Sequence, residues 1–127
     1  HWHQDNYYFG TTSDQIISCG IYLQDADLDN GCLQIVPQSH HSGQIAEHQH
    51  TQGTHGSWTQ IDDAQAVALP LPAGSVVLFS ANLLHGTVDN QSERTRYSTA
   101  WHYIPADLAL ERFPRGGYGD RHIVREG

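Results

Sequence analysis

The sequence has no lysine, no methionine and no long apolar run, and each absence limits what the protein can do. Its six basic residues are all arginines, against fourteen acidic residues, which gives a net charge of −8. A nucleic-acid-binding surface needs basic side chains to contact phosphates, so nucleic acid is not an expected partner. No apolar stretch approaches the roughly 20 residues that span a bilayer, so we predict no membrane partner either.

Cysteine is also scarce. Cys19 and Cys32 form no CxxC pair and are too few for a disulfide scaffold, so we predict two small buried residues in a reducing compartment, the cytoplasm. No basic segment followed by an apolar stretch opens the chain, so no signal peptide is predicted. Because the sequence opens on His1 and contains no methionine, we expect it to be a fragment of a longer protein.

Helical periodicity is scarce as well, and the sequence favours an all-β domain. Short runs of β-branched and aromatic residues are separated by Gly, Pro, Asn and Asp, which is typical of strands joined by turns. The clearest predicted strands are 1–9, 15–24, 32–36, 65–71, 75–80 and 94–104. The polar, histidine-rich segment 39–57 predicts a long loop or a short helix. About seven strands and little helix predict a sandwich or barrel of the jelly-roll kind.

Two side chains near the start, His3 and Asp5, are candidate metal ligands. On a strand, residues i and i+2 point to the same face, so this imidazole and carboxylate can converge on one ion. His85 is the best candidate for a third ligand, because it follows an apolar strand and precedes Gly86, where the chain can turn tightly. Two histidines and one carboxylate on one face of an octahedral ion are the ligands of non-haem iron(II) oxygenases.

Arg96 follows His85 by eleven residues, on the last predicted strand. An arginine that points into a barrel needs an anionic partner, because burying an unpaired charge is costly. A dicarboxylate cosubstrate would supply one through a bidentate guanidinium–carboxylate pair. Two alternatives stay open: Arg96 paired to a structural Asp or exposed at the strand start, and Arg94 in its role.

Taken together, these patterns resemble the phytanoyl-CoA dioxygenase family. The segments that carry the resemblance are Trp2-His3-Gln4-Asp5-Asn6-Tyr7-Tyr8-Phe9, residues 30–40, Leu83-Leu84-His85-Gly86-Thr87, Arg96 and His102-Tyr103-Ile104-Pro105. The resemblance implies a double-stranded β-helix (a cupin-like jelly roll) over residues 1–105, followed by an irregular, arginine-rich segment over 106–127. This chain departs from the family at Gln38, where the family has glycine, and we expect it to lack the family's N-terminal helices and first strand.

The resemblance also implies iron(II), 2-oxoglutarate as cosubstrate, and O2. It assigns the metal to His3, Asp5 and His85, and the far carboxylate of 2-oxoglutarate to Arg96. Thr87 and Gln4 match positions near the cosubstrate.

Three further residues are predicted to contact the substrate. Tyr8 and Phe9 match an aromatic pair of the family that can wall the pocket, with ordinary core packing as the alternative. His102 is predicted to lie inside the barrel near Arg96.

The activity that the resemblance implies is hydroxylation of an unactivated C–H bond in a small organic substrate, with release of succinate and CO2. One alternative is a halogenase on the same scaffold, but that chemistry needs a vacant ligand position for the halide, and Asp5 fills it. The other is a non-catalytic β-barrel relative that binds a metal or a small ligand. The lysine-free surface offers no broad platform for the phosphates of coenzyme A, which favours a small metabolite.

Overall fold

The computed structural model describes residues 1–50, 56–110 and 112. One short helix, α1, spans Asp5–Phe9. The strands are β1 (Ile17–Tyr22), β2 (Leu33–Ile35), β3 (Gln49–His50), β4 (Ser57–Trp58), β5 (Val67–Leu69), β6 (Val76–Ser80), β7 (His85–Thr87) and β8 (Ser98–Tyr103). Two 3-10 turns lie at Ser39–Ser42 and Asp63–Gln65. No helix in this part of the chain is long and apolar enough to cross a membrane.

The strands form two three-stranded antiparallel sheets and a hairpin. One sheet has the order β6-β1-β8, the other has the order β5-β2-β7, and β3 pairs with β4. A buried cluster between the sheets joins Tyr22 of β1 to Cys32 and Leu33 beside and within β2, with Phe79 of β6 packed against it. Two antiparallel sheets that share one core confirm the jelly-roll prediction. Strand β5 lies at a sheet edge, where the prolines that follow it at positions 70 and 72 are tolerated.

The domain has a second buried hydrophobic cluster. Ile16, Ala81 and Leu110 form its centre, and Phe9 packs against them. Leu110 therefore ties the chain beyond β8 to the core. Residues 106–110 contain no helix or strand, whereas 111 and 113–127 lie outside the described residues, so the predicted division at residue 105 stays a prediction.

The prediction of a strand over residues 1–9 is wrong. Only His3 forms a β-bridge, with His85, and α1 begins two residues later at Asp5. Gly10 ends this helix in the left-handed conformation (φ 65°), and its N–H reaches the carbonyl oxygens of Asn6 and Tyr7. Glycine is the usual residue at such a helix end, so Gly10 is a local signal for the helix. The aromatic residues of the segment favour a strand instead, and they led to the wrong prediction.

Two turns contain a residue with a positive φ. Gly31 has φ 83°, and a Cβ there would lie 2.5 Å from the carbonyl oxygen of Val88, so only glycine fits the turn at this position. Gln38, where the resembling family has glycine, has φ 65°, the only positive φ found at a non-glycine residue among those described. The turn that leads into Ser39–Ser42 is therefore formed, with a side chain in a conformation that glycine adopts more easily.

Candidate metal centre

Three side chains from three separate elements meet at one point. His3 lies in the bridge that precedes α1, Asp5 is the first residue of α1, and His85 begins β7. One potential ligand atom from each of the three lies within 4.8 Å of the others, a spacing that can hold a metal ion. The Nε2 atoms of His3 and His85 lie 3.5 Å and 3.7 Å from the same Oδ1 of Asp5.

The backbone fixes which ring nitrogen of each histidine faces the site. The Nδ1 of His85 lies 2.9 Å from the carbonyl oxygen of Leu83, and the Nδ1 of His3 lies 3.2 Å from that of His1. A carbonyl oxygen can only accept, so each Nδ1 carries the proton. Each Nε2 is then left with a lone pair directed at Asp5, which is the arrangement that metal-binding histidines require.

The charges of the site also suit a divalent cation. Burial raises the pKa of Asp5, but the neighbouring His3 and His85, the hydrogen bond from Ser18 and the nearby His102 outweigh it and lower the pKa from 3.8 to about 2. Burial lowers the pKa of His85, against the opposing effect of Asp5. An ionised carboxylate beside a neutral imidazole is the protonation state that binds a metal ion. The donor set of this structure thus fits iron(II).

A cavity of about 380 Å3 opens beside the three side chains. Several residues predicted from the sequence to bind cosubstrate or substrate line it, namely Tyr8, Thr87, Arg96 and His102. Tyr8 also meets the ring of His3 edge-on at 5.8 Å. The predicted ligands and these four residues therefore share one cavity.

The two candidate arginines are in different surroundings. Arg94 is exposed and pairs with Asp27 at 2.6 Å, outside the cavity. Arg96 is half-buried and, among the described residues, donates to the Asn30 carbonyl oxygen and the Ser98 hydroxyl, each at 3.3 Å. Within the described ranges no carboxylate lies within ion-pair distance of Arg96. Its charge is thus available to an anion in the cavity, whereas that of Arg94 is not.

Gln4 and Phe9 do not lie where the sequence places them. The side chain of Gln4 is buried; its Nε2 donates to the carbonyl oxygens of Asn82 (2.7 Å) and Gln44 (3.2 Å), and its Oε1 accepts from the Ala46 N–H (2.8 Å). It joins backbone segments and does not line the cavity at the candidate metal centre. Phe9 packs in the core cluster and against the ring of His102, outside the cavity lining, so its alternative of ordinary packing holds.

Sequence reasoning missed Ser18. Its hydroxyl donates to Oδ2 of Asp5 at 2.5 Å, and the residue is 2% exposed. A signal was present, because the face of the predicted strand 15–24 that carries Ser18 also carries Ile16 and Tyr22, both buried. A small polar residue on an inward face marks a specific partner inside the domain.

The fold and the site together define a class, that of cupin-like jelly rolls with two histidines and one carboxylate facing an internal cavity. The sequence model of the family "Phytanoyl-CoA dioxygenase (PhyH)" matches residues 1–98. The chain belongs to the phytanoyl-CoA dioxygenase family, which confirms the resemblance found in the sequence.

Individual relatives agree with this assignment. A "probable alpha-ketoglutarate-dependent hypophosphite dioxygenase" of Stutzerimonas stutzeri is 29% identical, over 94% of this chain and 44% of the relative. A phytanoyl-CoA dioxygenase of Arabidopsis thaliana is also 29% identical, over 83% of this chain and 38% of the relative. The crystal structure of EvdO2 from Micromonospora carbonacea var. aurantiaca in complex with 2-oxoglutarate matches with a TM-score of 0.66 at 28% identity, over 91% of this chain and 48% of EvdO2. The chain spans only 38% to 48% of the length of these proteins.

Proposed function

We propose that the protein containing this chain is an iron(II)- and 2-oxoglutarate-dependent oxygenase that hydroxylates an unactivated C–H bond of a small organic substrate, releasing succinate and CO2. The observation that carries the proposal is the convergence of two Nε2 lone pairs and one carboxylate oxygen beside a cavity with an arginine that has no carboxylate partner among the described residues. The relative named as alpha-ketoglutarate-dependent and the EvdO2 structure in complex with 2-oxoglutarate support the same chemistry.

Each residue of the site has a part in this proposal. His3, Asp5 and His85 hold iron(II), which supplies O2 activation when 2-oxoglutarate is bound. Arg96 binds the far carboxylate of 2-oxoglutarate through its guanidinium group, a charge-assisted contact that fixes the orientation of the molecule.

The cavity wall completes the site. Thr87 offers a hydroxyl to the same cavity that Arg96 lines. Tyr8 and His102 bound the space beside the metal ligands and orient the substrate. The apolar side chains of Leu33 and Phe79 also line the cavity and exclude water from it, which strengthens its polar contacts.

The two alternatives fit the site less well. Asp5 occupies the position that a halide would need, so halogenation is disfavoured. A non-catalytic relative has no need for an arginine, beside the metal ligands, whose charge is unpaired within the described part of the chain. As further parts of the proposal, residues 1–105 form the catalytic core, 106–127 form an irregular arginine-rich segment, and the protein is cytoplasmic. The two free buried cysteines support this location.

The test is 2-oxoglutarate-dependent O2 consumption and succinate release by the full-length protein with iron(II). A charge-transfer band that develops only with both iron(II) and 2-oxoglutarate should accompany turnover. Asp5→Ala should abolish the band and the turnover, whereas Asp14→Ala, a change at an exposed carboxylate outside the site, should leave both intact. Absence of the band and of turnover across a panel of small metabolites would overturn the proposal.

A further inference from the structure

The two oxygens of the Asp5 carboxylate have separate sets of partners. Oδ1 faces Nε2 of both His3 and His85. Oδ2 points the other way, to the Ser18 hydroxyl at 2.5 Å and toward Nδ1 of His102 at 3.8 Å. The metal-binding proposal does not require the partners of Oδ2, so these contacts need a separate explanation.

Ser18 and His102 are held as a pair by the β-sheet. They are direct partners in the antiparallel register of β1 and β8, and the Ser18 hydroxyl lies 3.3 Å from Nδ1 of His102. The His102 ring is further fixed by an edge-on contact with Phe9 at 5.1 Å. Because Ser18 is almost fully buried in the sheet, its position is set by the backbone and not by the ligands of the metal site.

The hydrogen of the Ser18 hydroxyl is committed to Asp5. An ionised carboxylate can only accept, so Ser18 must donate to it. The lone pairs of the same hydroxyl are then free to accept from His102 when its Nδ1 carries the proton. The result is a directed chain from His102 through Ser18 to Oδ2 of Asp5.

We infer that Ser18, supported by His102, is a positioning residue that reserves Oδ2 of Asp5 and presents Oδ1 alone to the metal ion. The inference rests on the metal site of the proposed function and extends it. Without the hydroxyl, the carboxylate is free to rotate, and Oδ1 would no longer be held toward the metal position. Partners that orient ligating carboxylates typically change metal affinity by 10- to 100-fold when they are removed.

The test measures metal affinity in the absence of 2-oxoglutarate, by titrating the full-length protein and its variants with iron(II) under anaerobic conditions. We expect Ser18→Ala to weaken binding about 10-fold or more. Ser18→Thr, which keeps the hydroxyl and suits a strand, should restore affinity to within about threefold. Ser75→Ala is the matched control, because the Ser75 hydroxyl has no hydrogen-bond partner among the described residues. His102→Phe, which keeps the ring contact with Phe9, should give a smaller loss than Ser18→Ala.

A second readout separates this role from a direct contact with 2-oxoglutarate. For iron-loaded Ser18→Ala, the affinity for 2-oxoglutarate measured through the charge-transfer band should change less than the affinity for the metal. Natural metal affinity in Ser18→Ala, or equal losses in Ser18→Ala and Ser18→Thr, would overturn the inference while leaving the metal site standing. Failure of the natural protein to bind iron(II) would instead overturn the proposed function and this inference with it. If Ser18→Ala does not fold, the other two variants test the inference. Iron(II) should bind more tightly to Ser18→Thr than to His102→Phe, and the reverse order would overturn the inference.

Discussion

His3 and His85 are hydrogen-bonded to each other through both of their backbone amide groups. The N–H of His3 donates to the carbonyl oxygen of His85 at 2.9 Å, and the N–H of His85 donates to that of His3 at 3.0 Å. Two candidate ligands that are far apart in sequence thus form a hydrogen-bonded antiparallel pair. The relative position of their imidazoles is set by the backbone, before any ion binds.

Gly86→Ala should break this pairing. A Cβ at residue 86 would lie 2.9 Å from the carbonyl oxygen of His1 and 3.3 Å from the Cα of Trp2, and backbone atoms cannot yield as a flexible side chain can. We expect at least a tenfold loss of iron(II) affinity and about 1–3 kcal/mol of lost stability. Gly56→Ala is the control, since a Cβ there meets no atom of the described residues within 4 Å. Natural metal affinity in Gly86→Ala would show that the pairing does not position the ligands.

Arg96→Ala should weaken 2-oxoglutarate binding, whereas Arg94→Ala should not. A charge-assisted hydrogen bond contributes about 1.5–3 kcal/mol, which corresponds to an increase of about 10- to 100-fold in the dissociation constant. Arg94 pairs with Asp27 on the surface, where such a contact contributes little to stability. The comparison is made by titrating 2-oxoglutarate into the iron-loaded variants, and equal effects of the two changes would contradict the role given to Arg96.

Gln4→Ala should destabilise the protein without a direct effect on 2-oxoglutarate. The change leaves the Asn82 and Gln44 carbonyl oxygens and the Ala46 N–H without their partner, and we expect a loss of about 1–3 kcal/mol in the free energy of unfolding. The exposed Gln60 has no hydrogen-bonding partner for its side chain among the described residues, so Gln60→Ala should cost little. Urea unfolding measures both. A folded Gln4→Ala that binds metal normally but not 2-oxoglutarate would restore the role suggested by the sequence.

The metal-free protein should lose stability on acidification. The pKa of Asp5 in the folded state is about 2, below its ordinary value of 3.8, so its contribution is present above pH 4 and is lost as the pH falls toward 2. This contribution is about 2 kcal/mol. The pKa of His85 is also lowered on folding, so the unfolded chain takes up a proton on this residue more readily than the folded one. The free energy of unfolding therefore begins to fall below about pH 6.5. Unfolding free energies at several pH values should show the loss of stability between pH 4 and 2 in the natural protein and in Asp14→Asn, but not in Asp5→Asn.

Much of the fold follows from sequence because its signals are local. The apolar runs around Ile17–Tyr22 and Val76–Ser80 and the turn at Asn30-Gly31 are each specified by neighbouring residues. The five-residue helix Asp5–Phe9 was missed because so short a segment carries less than two helical turns of periodicity, and its aromatic residues also favour strands.

The residues of the candidate site also differ in how far the sequence predicts them. His3, Asp5, His85 and Arg96 could be predicted as site residues because residue type, spacing and family resemblance agree. The roles of Gln4 and Ser18 depend on which distant backbone groups reach them, since Gln4 bonds to Asn82 and Ser18 to Asp5. Such contacts are products of the folded register, and no pattern within one segment encodes them.

Gln4 stands between two candidate metal ligands and also holds the segment 44–48. Its side chain bonds to Gln44 and Ala46, and its backbone N–H donates to Nε2 of His48 at 3.1 Å. The order of that segment and the occupancy of the metal site are therefore thermodynamically linked, because an ion that binds only the assembled arrangement also opposes the opening of every contact within it. Slower hydrogen exchange at the Ala46 amide after iron(II) is added would report this linkage from outside the site itself.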